Sequence, residues 1–76
     1  MLELFGTASC PYTAQLRDDL EWRRAPYVEY DVDCDPVALH RMLAISGGNR
    51  TVPLLAENGV VVQIGYEGRG CYAGGA

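Results

Sequence analysis

Four prolines divide the chain, at positions 11, 26, 36 and 53, and they restrict its fold more than any other feature. A proline has no backbone N–H and a fixed φ, so it suits the first turn of a helix, the residues past a helix end, or the margin of a strand. Pro11 stands where a helical pattern begins: Tyr12, Leu16 and Leu20 recur at four-residue steps, with Gln15, Arg17, Asp18 and Asp19 between them. That spacing predicts an amphipathic helix, which Pro26 ends. Pro36 opens a second helix with Asp35 as its N-cap, Leu39, Met42 and Leu43 as its apolar stripe, and Gly47 and Gly48 as its stop. His40 falls off that stripe, and a surface position is expected for it.

The segments between these helices alternate apolar and polar residues, as strands do. "LELFG" from Leu2 to Gly6 is one. "YVEYDVD" from Tyr27 to Asp33 is another, with Val28, Tyr30 and Val32 on one face. Strand, helix and strand within about thirty residues suggest a right-handed crossover with parallel strands. "TVPLLAENGVVVQIG", Thr51 to Gly65, reads as a hairpin around a tight Asn58-Gly59 turn. The order is β-α-β-α-β-β in one domain over residues 1–76. The glycine-rich end, residues 70–76, is expected to be a loop and a frayed tail.

Composition excludes several functions. The formal charge is −4, and the six basic residues are all arginine and scattered, unlike the clustered basic face that nucleic acid requires. No apolar run approaches the roughly 18 residues of a membrane span. The opening residues lack a basic segment ahead of an apolar one, so a cytoplasmic location is expected. The three cysteines, Cys10, Cys34 and Cys71, are odd in number and widely spaced. They lack the density of a secreted disulfide scaffold and the ligand set of a zinc site, so no metal is expected.

Cys10 carries the chemistry. A thiol reacts as its thiolate, and the unpaired N–H groups and positive dipole end of a helix N-terminus stabilise that anion. Cys10 immediately precedes the helix-opening Pro11, and the Thr13 hydroxyl, three residues on, is placed to donate to the sulfur. The competing reading is a buried cysteine acting as a small hydrophobe. A second feature bears on the choice. "TVP", Thr51 to Pro53, puts a proline at a strand start. A cis Val52-Pro53 bond would leave the Val52 N–H and C=O free for an extended peptide, whereas a trans bond is the ordinary expectation.

Together these stretches resemble the glutaredoxin family of the thioredoxin fold, over about Met1 to Gly68. "CPYT", Cys10 to Thr13, is similar to the family's Cys-Pro-Tyr-Cys, "TVP" to its cis-proline motif, and "IGY", Ile64 to Tyr66, to its glycine pair. The closing "GRGC", Gly68 to Cys71, resembles a short glutaredoxin-like group that includes members with selenocysteine at the position of Cys10. The resemblance implies an α/β thioredoxin-like fold, its four-stranded mixed sheet placing Cys10 beside Pro53, with the closing C-terminal helix absent or vestigial. It implies glutathione as co-substrate, no tightly bound cofactor, and partners that are disulfides of small molecules or proteins, met by a monomer. Val52 would pair with the cysteinyl part of glutathione. Tyr12 would flank it beside Pro11, and Arg50 before Thr51 would hold the glycine carboxylate. Gly65 and Tyr66 would lie near the glutamyl end.

The chain departs from that pattern in three places. Thr13 replaces the second cysteine, which leaves a monothiol route through Cys10. Thr7 stands where relatives have a lysine. Glu67 and Gly68 occupy the region of an acidic residue in relatives. Cys71 is therefore either a resolving thiol or a free surface thiol, and Cys34 is expected to be structural. The preferred function is thiol-disulfide exchange. The alternative is a non-enzymatic module binding glutathione or an iron-sulfur cluster; the Pro11-Tyr12 pair speaks against the cluster.

Overall fold

Two helices and a sheet assemble around the prolines in the computed structural model of the chain, in which residues 1–73 are described. Strand β1 spans Leu2–Gly6 and leads into helix α1, Pro11–Trp22; strand β2, Tyr27–Asp31, leads into helix α2, Pro36–Ser46. Then come β3 (Thr51–Val52), β4 (Leu54–Glu57), β5 (Val60–Ile64) and β6 (Cys71–Tyr72). The main sheet has the order β2-β1-β4-β5, with β1 parallel to β2 and the other neighbours antiparallel. This is the expected four-stranded mixed sheet.

Local chemistry explains the helix boundaries. The Asp35 carboxylate accepts from the Val37 and Ala38 N–H groups at 3.1 Å, satisfying two donors that α2 leaves unpaired. At the other end Gly47 adopts φ 70°, and the Gly48 N–H donates to the Leu43 carbonyl at 2.8 Å, so the last turn is closed by a left-handed glycine. Helix α1 starts at Pro11 with Cys10 as its N-cap.

The pleat sends alternate residues of β1 to opposite faces. Leu4 faces α1 with Leu16, Leu20 and Leu55; Phe5 joins Val32, Met42, Leu54 and Ala56 under α2. Each fully buried Leu, Phe or Met contributes ~1.5–3 kcal/mol relative to exposure. Ion pairs staple each helix to its face. Arg17 of α1 donates to both Glu29 carboxylate oxygens at 2.7 Å, and Arg41 of α2 does the same to Glu3 at 2.6 and 3.0 Å. Tyr30 donates to Glu3 as well, at 3.2 Å. The Arg41 hydrogen bonds hold the Glu3 carboxyl below its ordinary 4.5, against the opposing effect of its burial.

Two expectations are corrected. The hairpin begins at Leu54, because Thr51–Val52 is a separate short strand that leaves the main sheet at Pro53. The stretch from residue 70 is also not all loop: Cys71–Tyr72 forms β6, antiparallel to β3, and Ala73 is wholly buried. Pairing with β3, far away in sequence, supplies the order that local glycine content does not. The rest of the expected tail, residues 74–76, lies outside the described residues. Among the described residues no helix is long and apolar enough to cross a membrane.

Candidate active site

Cys10 lies where β1, α1, β3 and β6 converge. Its backbone is extended at φ −86° and ψ 114°, and its carbonyl accepts from the Ala14 N–H at 3.4 Å, the first turn of α1. The sulfur therefore stands at the positive end of the helix. Opposite it, the Val52-Pro53 peptide is cis, and the Cys10 sulfur is 3.8 Å from the Val52 carbonyl oxygen.

The sulfur is bonded. Cys10 and Cys71 form a disulfide across 61 positions of sequence, with their Cα atoms 6.0 Å apart, inside the ordinary range for such a bridge. Cys10 is only 2% exposed in this state, where an accessible nucleophile was expected. The reason is the return of the tail: Cys71 and the buried Ala73 cover it. Cys71 itself is half-buried.

The tail also takes the strand edge. The Ala73 N–H donates to the Arg50 carbonyl at 2.7 Å, and β6 runs in the register Thr51 with Tyr72 and Val52 with Cys71. Hydrogen-bonded pairs alternate along an antiparallel ladder, so the next such pair is Val52 with Cys71. The backbone of Val52, expected to be free for a peptide, is engaged by the chain's own cysteine.

Other expected site residues fall in the same neighbourhood, some with different work. Arg50, expected to hold a carboxylate, here donates from its Nη1 to the Ala73 carbonyl at 3.4 Å and clasps the tail. The Thr51 N–H donates to the Asn49 side chain at 2.8 Å. Tyr12, half-buried behind Pro11, packs against the cluster that contains Cys10. Gly65 and Tyr66 build the turn that sends the tail back. The Gly65 N–H donates to the Pro53 carbonyl at 2.7 Å, and the Tyr66 N–H to the Arg69 carbonyl at 2.7 Å. Gly65 has φ 78°, and a Cβ there would lie 2.6 Å from the Arg69 carbonyl oxygen, so only glycine fits.

Thr13 differs from expectation. It is fully buried, and its hydroxyl has no hydrogen-bond partner in the disulfide state, so it does not donate to the sulfur there. Its side chain packs on Gly6: a Cβ at position 6 would collide with the Thr13 methyl and lie 2.7 Å from its hydroxyl oxygen. Thr7 is buried, at 5% exposure. Cys34 is exposed and free rather than structural, and the charge of Asp31 pushes its thiol up, away from reactivity. Sequence reasoning missed β6 and the tail-to-Arg50 clasp. The available signal was the glycine series at 65, 68 and 70, whose freedom permits a sharp return.

With that geometry in place, similarity to known proteins gives the arrangement a context. The family model described as Glutaredoxin matches residues 2–62. A probable glutaredoxin of Synechocystis sp. is 32% identical over 57 residues, which are 75% of this chain and 52% of that one. A Mycobacterium tuberculosis protein provisionally named a glutaredoxin is 35% identical over 52 residues, 68% of this chain and 62% of its own. The chain thus spans between half and two thirds of the length of these curated relatives. The crystal structure of the thioredoxin-like protein BC3987 superposes with a TM-score of 0.75 at 26% identity, covering 82% of this chain and 84% of that one.

Proposed function

The chain belongs to the glutaredoxin family, and from that premise we propose that it is a thiol-disulfide oxidoreductase with Cys10 as nucleophile and Cys71 as resolving thiol. The observation that carries this reading is the Cys10–Cys71 bond, formed at a helix N-terminus beside a cis Val-Pro link. In the reduced protein the Cys10 thiolate attacks one sulfur of a disulfide. A new bond forms to Cys10, the old one breaks, and the departing thiolate takes the electron pair. The Cys71 thiolate then attacks Cys10, forms the bridge and expels the second half of the substrate. One disulfide becomes two thiols, and the protein dithiol becomes a disulfide.

Reduction enters at the other sulfur. A reducing thiol reaches the half-buried Cys71 sulfur, because Cys10 is 2% exposed. Cys10 then leaves as the thiolate that the helix end stabilises, and a stabilised leaving group speeds exchange. A second reducing thiol attacks the mixed disulfide left on Cys71, frees the Cys71 thiolate and departs as the disulfide of the two reductant molecules. Glutathione is the proposed reductant and co-substrate, as the family resemblance implies, and disulfides of proteins or small thiols are the proposed substrates. Both sulfurs come from one chain, which supports a monomer. The exposed free Cys34 supports a reducing compartment, the cytoplasm.

The test is a single turnover. Reduced protein is mixed with a glutathione mixed disulfide, quenched with acid and weighed by mass spectrometry. The expected product is intact protein lacking two hydrogens, with its peptide map joining Cys10 to Cys71. A Cys10→Ser protein that consumes the disulfide at the parent rate removes the assignment.

A further inference from the structure

The bonded tail serves as a template for what this edge accepts. β6 presents Cys71 to Cys10 while its backbone pairs with Val52. A substrate cysteine joined to Cys10 in that position would pair with Val52 in the same way, once the tail has left. The residue before the paired cysteine is Gly70, and the space around it is tight. A Cβ built there would lie 2.6 Å from the Val52 carbonyl oxygen and 2.8 Å from the Thr51 Cγ2. The Val52 oxygen is a main-chain atom, not the far end of a flexible side chain, so it cannot swing aside. The residue after the cysteine is treated differently: Tyr72 is 70% exposed, so a side chain there meets little.

We propose that the Val52 edge discriminates by the group that acylates the substrate cysteine, accepting an unbranched CH2–C(=O) and rejecting a residue with a side chain on its α-carbon. Two kinds of thiol carry the accepted chemistry. In a glycyl-cysteine segment the CH2 is the glycine α-carbon. In a γ-glutamyl-cysteine thiol it is the glutamyl γ-carbon, since that residue is linked through its side-chain carboxyl. An alanyl-cysteine differs from the glycyl peptide by one methyl, placed where the carbonyl oxygen already is. The inference rests on the exchange function proposed above and adds a selection rule to it. The chemistry is the exchange already written: Cys10 takes one half of the substrate disulfide and the other half departs with the electron pair.

The experiment uses the full chain with Cys71→Ser, so that the tail is not locked on the edge. The rate of mixed-disulfide formation at Cys10 is measured with four symmetrical disulfides: oxidised glutathione, N-acetyl-Gly-Cys-amide, N-acetyl-Ala-Cys-amide and N-acetyl-Val-Cys-amide. Each rate is divided by that of a simple alkyl thiol with the same disulfide. The expected result is that glutathione and the glycyl peptide both exceed the alanyl and valyl peptides by at least tenfold. Enhanced but equal rates for glycyl and alanyl peptides overturn the selection rule and leave the exchange function standing. So does a rate advantage confined to glutathione, which would locate recognition elsewhere on that molecule. No enhancement with any disulfide overturns both. Gly70→Ala in the otherwise unaltered chain gives an independent reading: its dithiol–disulfide equilibrium against dithiothreitol shifts at least tenfold toward the dithiol. An unchanged constant, with the helical circular dichroism preserved, also overturns the rule.

Discussion

Thr13→Val separates two roles that one hydroxyl plays in two redox states. In the disulfide form the Thr13 hydroxyl is fully buried with no partner, and such an orphan costs ~1–3 kcal/mol of desolvation. Valine keeps the branched shape, has nearly the same helix propensity, and exchanges the hydroxyl for a methyl. Its extra bulk presses on Gly6, where the fit is already close, and takes back part of the gain. The expected net stabilisation of the oxidised protein is ~1–2 kcal/mol. For a domain of this size each kcal/mol raises Tm by roughly 4–8 °C. In the reduced protein the proposed role is opposite, with the hydroxyl donating to the Cys10 thiolate. A hydrogen bond to a charged group is worth ~1.5–3 kcal/mol, so losing it to valine raises the Cys10 pKa. Urea unfolding of the oxidised protein measures the first effect. Alkylation rate against pH, compared between Cys71→Ser and Cys71→Ser with Thr13→Val, measures the second. A loss of more than about 1 kcal/mol in the oxidised protein would refute the orphan-hydroxyl argument, given the size of that penalty. An unmoved pKa would refute the donor role.

Other consequences are open to measurement. Cys71→Ser removes a bridge across 61 positions; on the chain-entropy estimate this costs ~4 kcal/mol, and urea unfolding under oxidising conditions should show a loss of that order. The same variant exposes the β3 edge, so the Ala73 amide, which donates to Arg50 in the parent, should exchange with solvent at a much faster rate; parent-like protection argues that the tail holds without its bond. Glu3 has a folded pKa below 4.5 because Arg41 binds its charged form, so the pair stabilises above that value and the contribution is lost as pH falls through the folded pKa. The stability deficit of Arg41→Gln should therefore shrink on acidification, and a deficit that grows instead sinks the assignment. Tyr27 is pushed up to about 12, first by burial and then by its 2.6 Å hydrogen bond to Glu21. Tyrosinate absorbance should report that value, and native stability should fall as pH rises from 10 toward it, because the unfolded chain ionises first.

Much of the scaffold is written locally. Pro11, Asp35, Pro36 and Gly47 act within a few residues, through caps and missing donors, and the helices start and stop where those residues say. The apolar steps Leu16, Leu20 and Met42 are legible for the same reason: one helix face needs only its own spacing. The site is legible to the extent that it shares this locality, which is why Cys10 and the Val52-Pro53 link stand out. β6 is not local. Two residues beside glycines are too short a run to mark a strand, even with the β preference of Tyr72, and their order comes from pairing with Thr51 and Val52 and from the burial of Ala73. The contact of Arg50 with the tail was illegible for the same reason, since the carbonyl that holds it arrives with the tail. The Thr13 orphan is a property of three-dimensional packing against Gly6, which no spacing reveals.

The substitution at Thr13 and the return of Cys71 belong to one solution. In a motif with two cysteines three apart, both sulfurs sit at one helix end and the strand edge stays open in either redox state. Here the second sulfur travels on a strand, so closing the disulfide also closes the edge. For a chain of this length, which buries only ~60% of its unfolded surface, the bridge adds stability that the small core cannot supply alone. The oxidised protein is thus the more stable and the less receptive form. The reduced protein gives up that cross-link, and the β6 segment is then held only by a two-residue ladder, the Arg50 clasp and one buried alanine. On the proposed function, substrate competes with that short segment for Val52, so affinity for substrate and stability of the tail are coupled with opposite sign. A mutation that tightens β6 without touching either sulfur should slow the attack of Cys10 on substrate by the factor by which it stabilises the tail.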